Sequence, residues 1–428
     1  MDIISGTPVI VKILSSLAVI IAADRIFKNL ALAMAAGTLV LAAWSGHSAS
    51  EMAGITAEQI LSRDYIVLIL MVFMLIWLSS QMKETRMMND LVAGLRERLE
   101  GKSLLAAVPA VIGLIPMPGG ALFSAPLVED CDSGKTMDSY LKGKINYWFR
   151  HIWEYWLPLY AGVLLTVQIT GLEIWQIAVL NFPLSVFSVL GGYVFLLRKV
   201  SLENSPAKKA VKPLYRNMAP IFSIVFFYII LTLTAPGLSG FSRYLPMGLS
   251  ILAAMIITQF MRPLSFQKWI RILLSKSIFD MVLIIAVIRI YGAFIEARLP
   301  GGAFLMDVMR DELTATGVPA MVLIMLLPFI SGFATGLAVG FVGASFPIVV
   351  SILGHNPPQA ELLSAVVTAY AFGFAGQLLS PVHVCNIVTN RFFKTDIIKS
   401  TMQLTGPCLF VISGALLTSA VVRVIFQH

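Results

Sequence analysis

The sequence predicts an all-α polytopic membrane protein, built as two inverted repeats of five transmembrane spans, each with a re-entrant hairpin and a broken helix. Three observations predict it. Charged residues are scarce, apolar runs of bilayer length recur along the chain, and Gly/Pro-broken segments recur in the same order on both sides of a basic linker.

Composition comes first. Of 428 residues, 58% are hydrophobic and only 13% are charged, and the mean hydropathy is +0.85. Soluble domains carry about 25% charged residues. The net charge of +8 reads as Lys and Arg gathered in cytoplasmic loops, and no nucleic-acid partner is expected. Cys131, Cys385 and Cys408 have no CxxC spacing. Neither a disulfide framework nor a zinc site is indicated, and they read as small buried hydrophobes. The start, Met1-Asp2, lacks a basic leader, so the first apolar segment reads as a retained span.

Apolar spans fall near Pro8–Ala23, Asn29–Trp44, Tyr65–Ser80, Leu104–Val128, Tyr147–Val167 and Trp175–Leu197. A polar linker, Arg198–Asn217, holds Lys208, Lys209, Lys212 and Arg216. Beyond it lie Met218–Ala235, Tyr244–Met261, Ser277–Ile295, Ala320–Leu353, Leu362–Thr389 and Thr401–Ile425. A hydrocarbon layer about 30 Å thick requires runs of roughly 17–25 such residues. The predicted organisation is a first repeat at 1–197, with its hairpin at 104–128 and broken helix at 146–168. A cytoplasmic linker follows at 198–217, then a second repeat at 218–428, with its hairpin at 320–353 and broken helix at 362–390.

The repeat rests on ordered matches. Short amphipathic segments, Asn89–Glu100 and Met306–Thr316, precede each broken stretch. "PAVIGLIPMPGGALFSAP" then meets "PFISGFATGLAVGFVGASFP", pairing Pro109 with Pro328, Gly113 with Gly332, Ser124 with Ser345 and Pro126 with Pro347. Further on, "FRHIWEYWLPLY" meets "FGFAGQLLSPVH" without gaps, pairing Phe149 with Phe372, Glu154 with Gln377 and Pro158 with Pro381. Matches in a shared order mark an internal repeat.

Loop charge sets the orientation. If both broken stretches are re-entrant, the loops with Arg25 and Lys28, Lys83 to Lys102, Lys135 to Lys144, the linker, Arg262 to Lys276 and Arg391 to Lys399 share one side. The opposite loops, His47–Asp64 and Ile169–Ile174, are poor in Lys and Arg. The basic side is cytoplasmic by the positive-inside rule. The expectation is a multi-pass protein of the inner membrane with both termini outside. An odd number of spans per half inverts the second half relative to the first.

A hairpin tip at membrane depth leaves backbone groups that only protein or a water-filled cavity can satisfy. Helix N-termini there favour an anion, and exposed carbonyls suit Na⁺. The first candidate tip is Met117, Pro118, Gly119, Gly120 and Ser124. The second is Gly336, Gly340, Gly343, Ala344 and Ser345. Close packing of small residues is the competing reading. Pro158 and Pro381 interrupt helices near the tips, and "GQLLSPVHVCN" supplies Gln377, Ser380, His383 and Asn386. Such polar density lines a cavity or bonds neighbouring helices. Arg150, His151 and Glu154 stand within one turn of helix, either as substrate and proton groups or as an ion pair in an interfacial aromatic belt. Asp280 and Arg289 share one apolar span, where a structural partner and a transport role are both open. No HExxH, GxSxG or P-loop is present, so the chain reads as a non-enzyme without its own ATPase.

Two inverted halves with re-entrant hairpins and broken helices resemble the ion transporter superfamily, which includes dicarboxylate, citrate, gluconate and arsenite permeases. "IPMPGGALFSAP" with "NYWFRHIWEYWLPLY" looks closest to a branch of prokaryotic membrane proteins of unknown function. The resemblance covers nearly the whole chain. It implies a scaffold domain, a moving transport domain holding both hairpins, elevator-like access and a homodimer. The sodium-coupled dicarboxylate members carry Ser-Asn-Thr at their tips. Here the places read Ser124-Ala-Pro and Ala344-Ser345-Phe, so neither a Na⁺ site nor a dicarboxylate carries over.

The expected function is secondary active transport of a small organic anion, coupled to Na⁺ or H⁺, with no other cofactor. Any Na⁺ is expected near Gly119, Gly120, Gly343 and Ser380. The alternative is a passive anion channel or an export pore working with a partner ATPase.

Overall fold

The computed structural model describes residues 7–116, 120–132, 134, 136–200, 214–354 and 356–426. The regular elements among them are helical, and no strand is formed beyond an isolated bridge between Arg298 and Phe304. Among the described residues, six helices are long and apolar enough to cross a bilayer.

Before the linker run α1 (Val9–Phe27), α2 (Leu30–Trp44), α3 (Ala49–Leu61), α4 (Arg63–Glu84) and α5 (Met87–Arg96). Next come α6 (Gly101–Gly113), α7 (Ala121–Glu129), α8 (Ser139–Arg150), α9 (Ala161–Thr170) and α10 (Ile174–Phe195). After it come α11 (Leu214–Thr234), α12 (Pro236–Phe241), α13 (Leu245–Met261), α14 (Phe266–Leu273), α15 (Lys276–Glu296) and α16 (Leu305–Thr316). The last are α17 (Ala320–Thr335), α18 (Ala338–Leu353), α19 (Gln359–Leu378), α20 (Val384–Phe393), α21 (Ile397–Met402) and α22 (Thr405–Phe426). Lys208, Lys209 and Lys212 of the expected linker lie outside the described residues.

Local chemistry sets the boundaries. Asn29 caps α2 by accepting from the Leu32 N–H at 3.2 Å. Ser48 and Glu51 close a capping box on α3. Ser62 caps α4. Glu312 caps α1 from another helix, accepting from the Val9 and Ile10 N–H groups at 2.8 and 2.9 Å, and its charge suits the positive helix end.

Length separates two kinds of helix. The 22 residues of α4 rise about 33 Å, enough to cross. The 13 residues of α6 and 12 of α8 rise only about 18–20 Å, so neither spans alone. The chain is interrupted at His151–Tyr160 between α8 and α9, and at Leu379–His383 between α19 and α20.

Packing divides the helices into two groups. One holds α1, α2, α4, α11, α13 and α15. The other holds α6 to α10, α17 to α20 and α22. They meet chiefly where α18 lies on α15, and α17 and α18 also touch α1. On the outer surface large apolar side chains stand exposed, including Leu233 at 76% and Phe260 at 85%. A water-soluble chain rarely presents such a surface, but lipid matches it.

Polar contacts collect at the two ends of the bundle. Arg262 donates to the Thr85 carbonyl at 2.8 Å and Asn217 Oδ1 at 3.0 Å, and pairs with Asp90. Arg96 pairs with Asp130 at 3.0 Å, and Lys142 with Glu129 at 2.9 Å and Asp132 at 3.3 Å. At the opposite end Arg243 meets Asp64 at 3.5 Å, and Arg289 meets Gln59 at 3.2 Å and Glu296 at 3.6 Å. The buried Arg289 thus faces protein groups, whereas Asp280 is exposed beside Lys276 at 4.0 Å.

Asp132 illustrates the loop energetics. Burial raises its pKa, but the Met137 and Thr136 N–H groups and Lys142 outweigh that and hold the carboxyl below its usual range. A depressed carboxyl adds stability above its unfolded-state value, which is lost as pH falls through the folded value. Asp132→Asn is expected to cost roughly 1–3 kcal/mol at neutral pH. The gap should close below about pH 4, as read by thermal unfolding in detergent across pH.

Candidate functional site

The interruption after α8 begins with proline. Pro158 has no N–H for the Glu154 carbonyl. The Tyr370 hydroxyl supplies that donor at 2.7 Å, reaching from α19. Other carbonyls at the breaks are met likewise. Tyr147 donates to Leu378 O at 3.1 Å, Asn146 to Ala121 O at 3.1 Å, Trp153 to Ala110 O at 2.7 Å and Ser380 to Phe333 O at 2.7 Å. Asn181 donates to Tyr155 O at 3.0 Å, and Tyr160 and Ser185 bond Gly113 O and Ile152 O. Each buried Asn, Ser, Tyr or Trp here does for the backbone what water cannot do at that depth.

The tight approaches fall at matched places. A Cβ on Gly113 would overlap the Arg150 carbonyl, and one on Gly332 would overlap the Gly373 carbonyl. A Cβ on Gly120 would overlap the Arg150 guanidinium, so the start of α7 lies directly on that charge.

Arg150 is 2% exposed. Its Nη1 is 3.8 Å from Glu154 Oε1, and His151 Nε2 is also 3.8 Å from that oxygen. Gln377 Nε2 donates to Glu154 Oε2 at 3.2 Å. His151 Nδ1 lies 2.6 Å from the Tyr147 carbonyl, which only accepts, so Nδ1 carries the hydrogen. His383 stacks edge-on against both His151 and Tyr147, with ring centres at 4.9 and 5.4 Å. One ring nitrogen of His151, one of His383 and Cys385 Sγ lie within 4.8 Å of one another.

The structure therefore brings Gly120, Arg150, Glu154, Gln377 and His383 together, with Pro158 and Pro381 in the adjoining breaks. Met117, Pro118 and Gly119 lie outside the described residues. Ser124 is buried, with its hydroxyl on Ala121 O at 3.3 Å in its own helix. Asn386 is engaged with Ser380 O at 3.2 Å and Thr401 Oγ1 at 2.7 Å.

The second tip needs correcting. It sits at Gly336, whose φ of +64° ends α17 in the left-handed region. Gly340, Gly343, Ala344 and Ser345 lie inside α18. Gly340 packs on Thr335, Gly343 packs on Ile288 of α15, and Ser345 bonds its own helix at Phe341 O, 2.6 Å away. Small residues there serve helix contact. The places expected to hold Na⁺ have these surroundings. Gly120 faces Arg150, Gly343 faces Ile288, Ser380 is bonded to Phe333, and Gly119 lies outside the described residues.

Sequence reasoning missed Cys385, Tyr147 and Tyr370. The tyrosines carried a signal, since the gapless match that pairs Glu154 with Gln377 also pairs them. Cys385 carried only a weak one, the His383-Val-Cys385 spacing, because its other neighbours His151 and Tyr147 come from the other half of the chain.

No curated protein sequence matches the chain. A family model described as a protein of unknown function, DUF401, matches residues 10–425. That is nearly the whole sequence, and the chain belongs to that family.

Proposed function

We propose that the chain is a secondary active transporter that carries a small organic anion together with a proton by elevator-like alternating access. One observation carries the reading: a buried Arg150–Glu154 pair sits where the start of α7 and both helix breaks converge. Ionisable groups at membrane depth are costly and mark transport paths. At 3.8 Å the pair is longer than a charge-assisted hydrogen bond. A proton on Glu154 leaves the Arg150 charge for an incoming carboxylate, which it can grip bidentately. Anion and proton then load together, and the site stays neutral when it moves.

Reciprocal contacts support two inverted repeats. First arms pack on their own broken helices, α6 on α8 and α17 on α19. Second arms cross over, α7 to α20 and α18 to α9. Matched residues meet each other, as Glu154 does Gln377. Residues related by a two-fold axis touch in this way only close to that axis. The group holding both hairpins would be the moving part, the other group the scaffold, and the working unit a homodimer. Arg96, Lys142 and Arg262 at one end support reading that end as the cytoplasmic one under the positive-inside rule.

The test begins with thermal-shift screening of purified protein against small anions, with and without Na⁺. Hits then go to uptake in proteoliposomes under an imposed pH gradient. Uptake should rise with the gradient, and Glu154→Gln should remove that dependence. Transport of only neutral or cationic solutes would sink the anion reading. Dependence on Na⁺ alone would sink proton coupling. Flux far above carrier rates after the gradients collapse would favour the channel alternative.

A further inference from the structure

We propose that His151, His383 and Cys385 form a binding site for a soft monovalent metal cation of the copper(I) or silver(I) kind. The proposal does not rest on the anion reading, because the donor atoms alone carry it.

The donor set comes first. Two imidazoles and a thiol place their ligand atoms within 4.8 Å of one another in the protein interior. Metal–nitrogen and metal–sulfur distances of about 2.0 and 2.3 Å put trigonal ligand atoms roughly 3.5–3.8 Å apart. The ligand atoms therefore need to close by at most about 1 Å on binding. His383 ends the Leu379–His383 interruption, and Cys385 lies in the first turn of α20.

The second observation concerns His151. Its Nδ1–H is held by the Tyr147 carbonyl at 2.6 Å, which leaves Nε2 without a hydrogen, 3.8 Å from Glu154 Oε1. That Nε2 is buried and has no hydrogen-bond partner among the described residues, and the same is true of His383 Nδ1. A buried polar atom with no partner calls for one. A ring fixed through one nitrogen with the other left open is the usual posture of a metal-ligating histidine.

Charge then selects the metal. The Arg150–Glu154 pair is neutral as a unit, and both imidazoles are neutral when ligating. A monovalent cation replaces the Cys385 thiol hydrogen, giving a neutral metal–thiolate and releasing one proton. A divalent cation leaves a net positive charge beside Arg150 in a low-dielectric interior, which is costly. Thiolate with imidazole in three-fold coordination also suits a soft ion such as copper(I).

The experiment uses full-length protein in detergent, reduced and free of metal. Silver(I), and copper(I) under anaerobic conditions, are titrated against a competing chelator of known affinity, with proton release followed in weak buffer. One equivalent should bind with one proton released, and zinc(II) should bind at least 100-fold more weakly. X-ray absorption of the silver- or copper-loaded native protein should show one sulfur and two imidazole nitrogens. Cys385→Ser should weaken binding at least 100-fold, while Cys131→Ser and Cys408→Ala leave it unchanged. His151→Gln and His383→Gln should each weaken it about 10–100-fold. No stoichiometric binding, a shell without imidazole, zinc(II) bound as tightly, or full binding in Cys385→Ser would each overturn the proposal. The absorption measurement needs only native protein, so it decides the matter even if a variant fails to fold. Anion uptake enters none of these readouts, so failure of the transporter reading would leave this result standing.

Discussion

Glu154→Ala is expected to destabilise the protein by roughly 3–5 kcal/mol, because it leaves a buried guanidinium without its carboxylate. The change also removes the acceptor of Gln377. Arg150→Met should be comparably severe by the same logic. The double variant Arg150→Met/Glu154→Ala should cost clearly less than the sum of the two, since removing both charges removes the imbalance. Titration of each variant with a denaturing detergent in mixed micelles measures this. Additive losses would show that the two charges are not coupled. A structural pair and a transport pair predict the same stability cycle. Uptake separates them, because only the second makes Glu154→Gln insensitive to the pH gradient.

The second large effect concerns glycine. Gly113→Ala and Gly332→Ala should each cost about 1–3 kcal/mol, since the new methyl meets a backbone carbonyl that cannot swing aside. Their costs should be similar, because the two positions face equivalent carbonyls. Gly237→Ala and Gly240→Ala meet nothing within 4 Å among the described residues and should be neutral or slightly stabilising. Thermal unfolding of the four variants side by side provides the check. A large cost at one matched position and none at the other would argue against equivalence of the hairpins.

Much of the fold was legible because lipid imposes simple rules. Few charges and long apolar runs mark the helices, and the spans read from Tyr65 to Ser80 and from Trp175 to Leu197 fall within α4 and α10 and the turn that follows it. Arg150, Glu154, Gln377 and His383 could be singled out because polar side chains in apolar runs need a reason. The second hairpin was harder. "GLAVGFVGAS" has the composition of a turn and of a tight helix interface alike, and only the backbone shows that α17 ends at Gly336 while Gly343 packs on Ile288. The thiol beside two histidines was invisible for another reason. His383 stands two residues from Cys385, too short a motif to name a site, and His151 joins them only after two halves of the chain interlock.

The interlocking sets an order of events during synthesis. The α7 arm packs against α20 and the α9 segment against α18, so the first half leaves the ribosome with contact surfaces whose partners are not yet made. Arg150 lacks the neighbourhood of Gln377 and His383 until the second broken helix arrives. Contacts this distant in sequence form slowly and late. Until then the first half holds the Arg150–Glu154 pair without Gln377, the donor to Glu154 that α19 supplies. The polar centre is complete only once the break between α19 and α20 has been made.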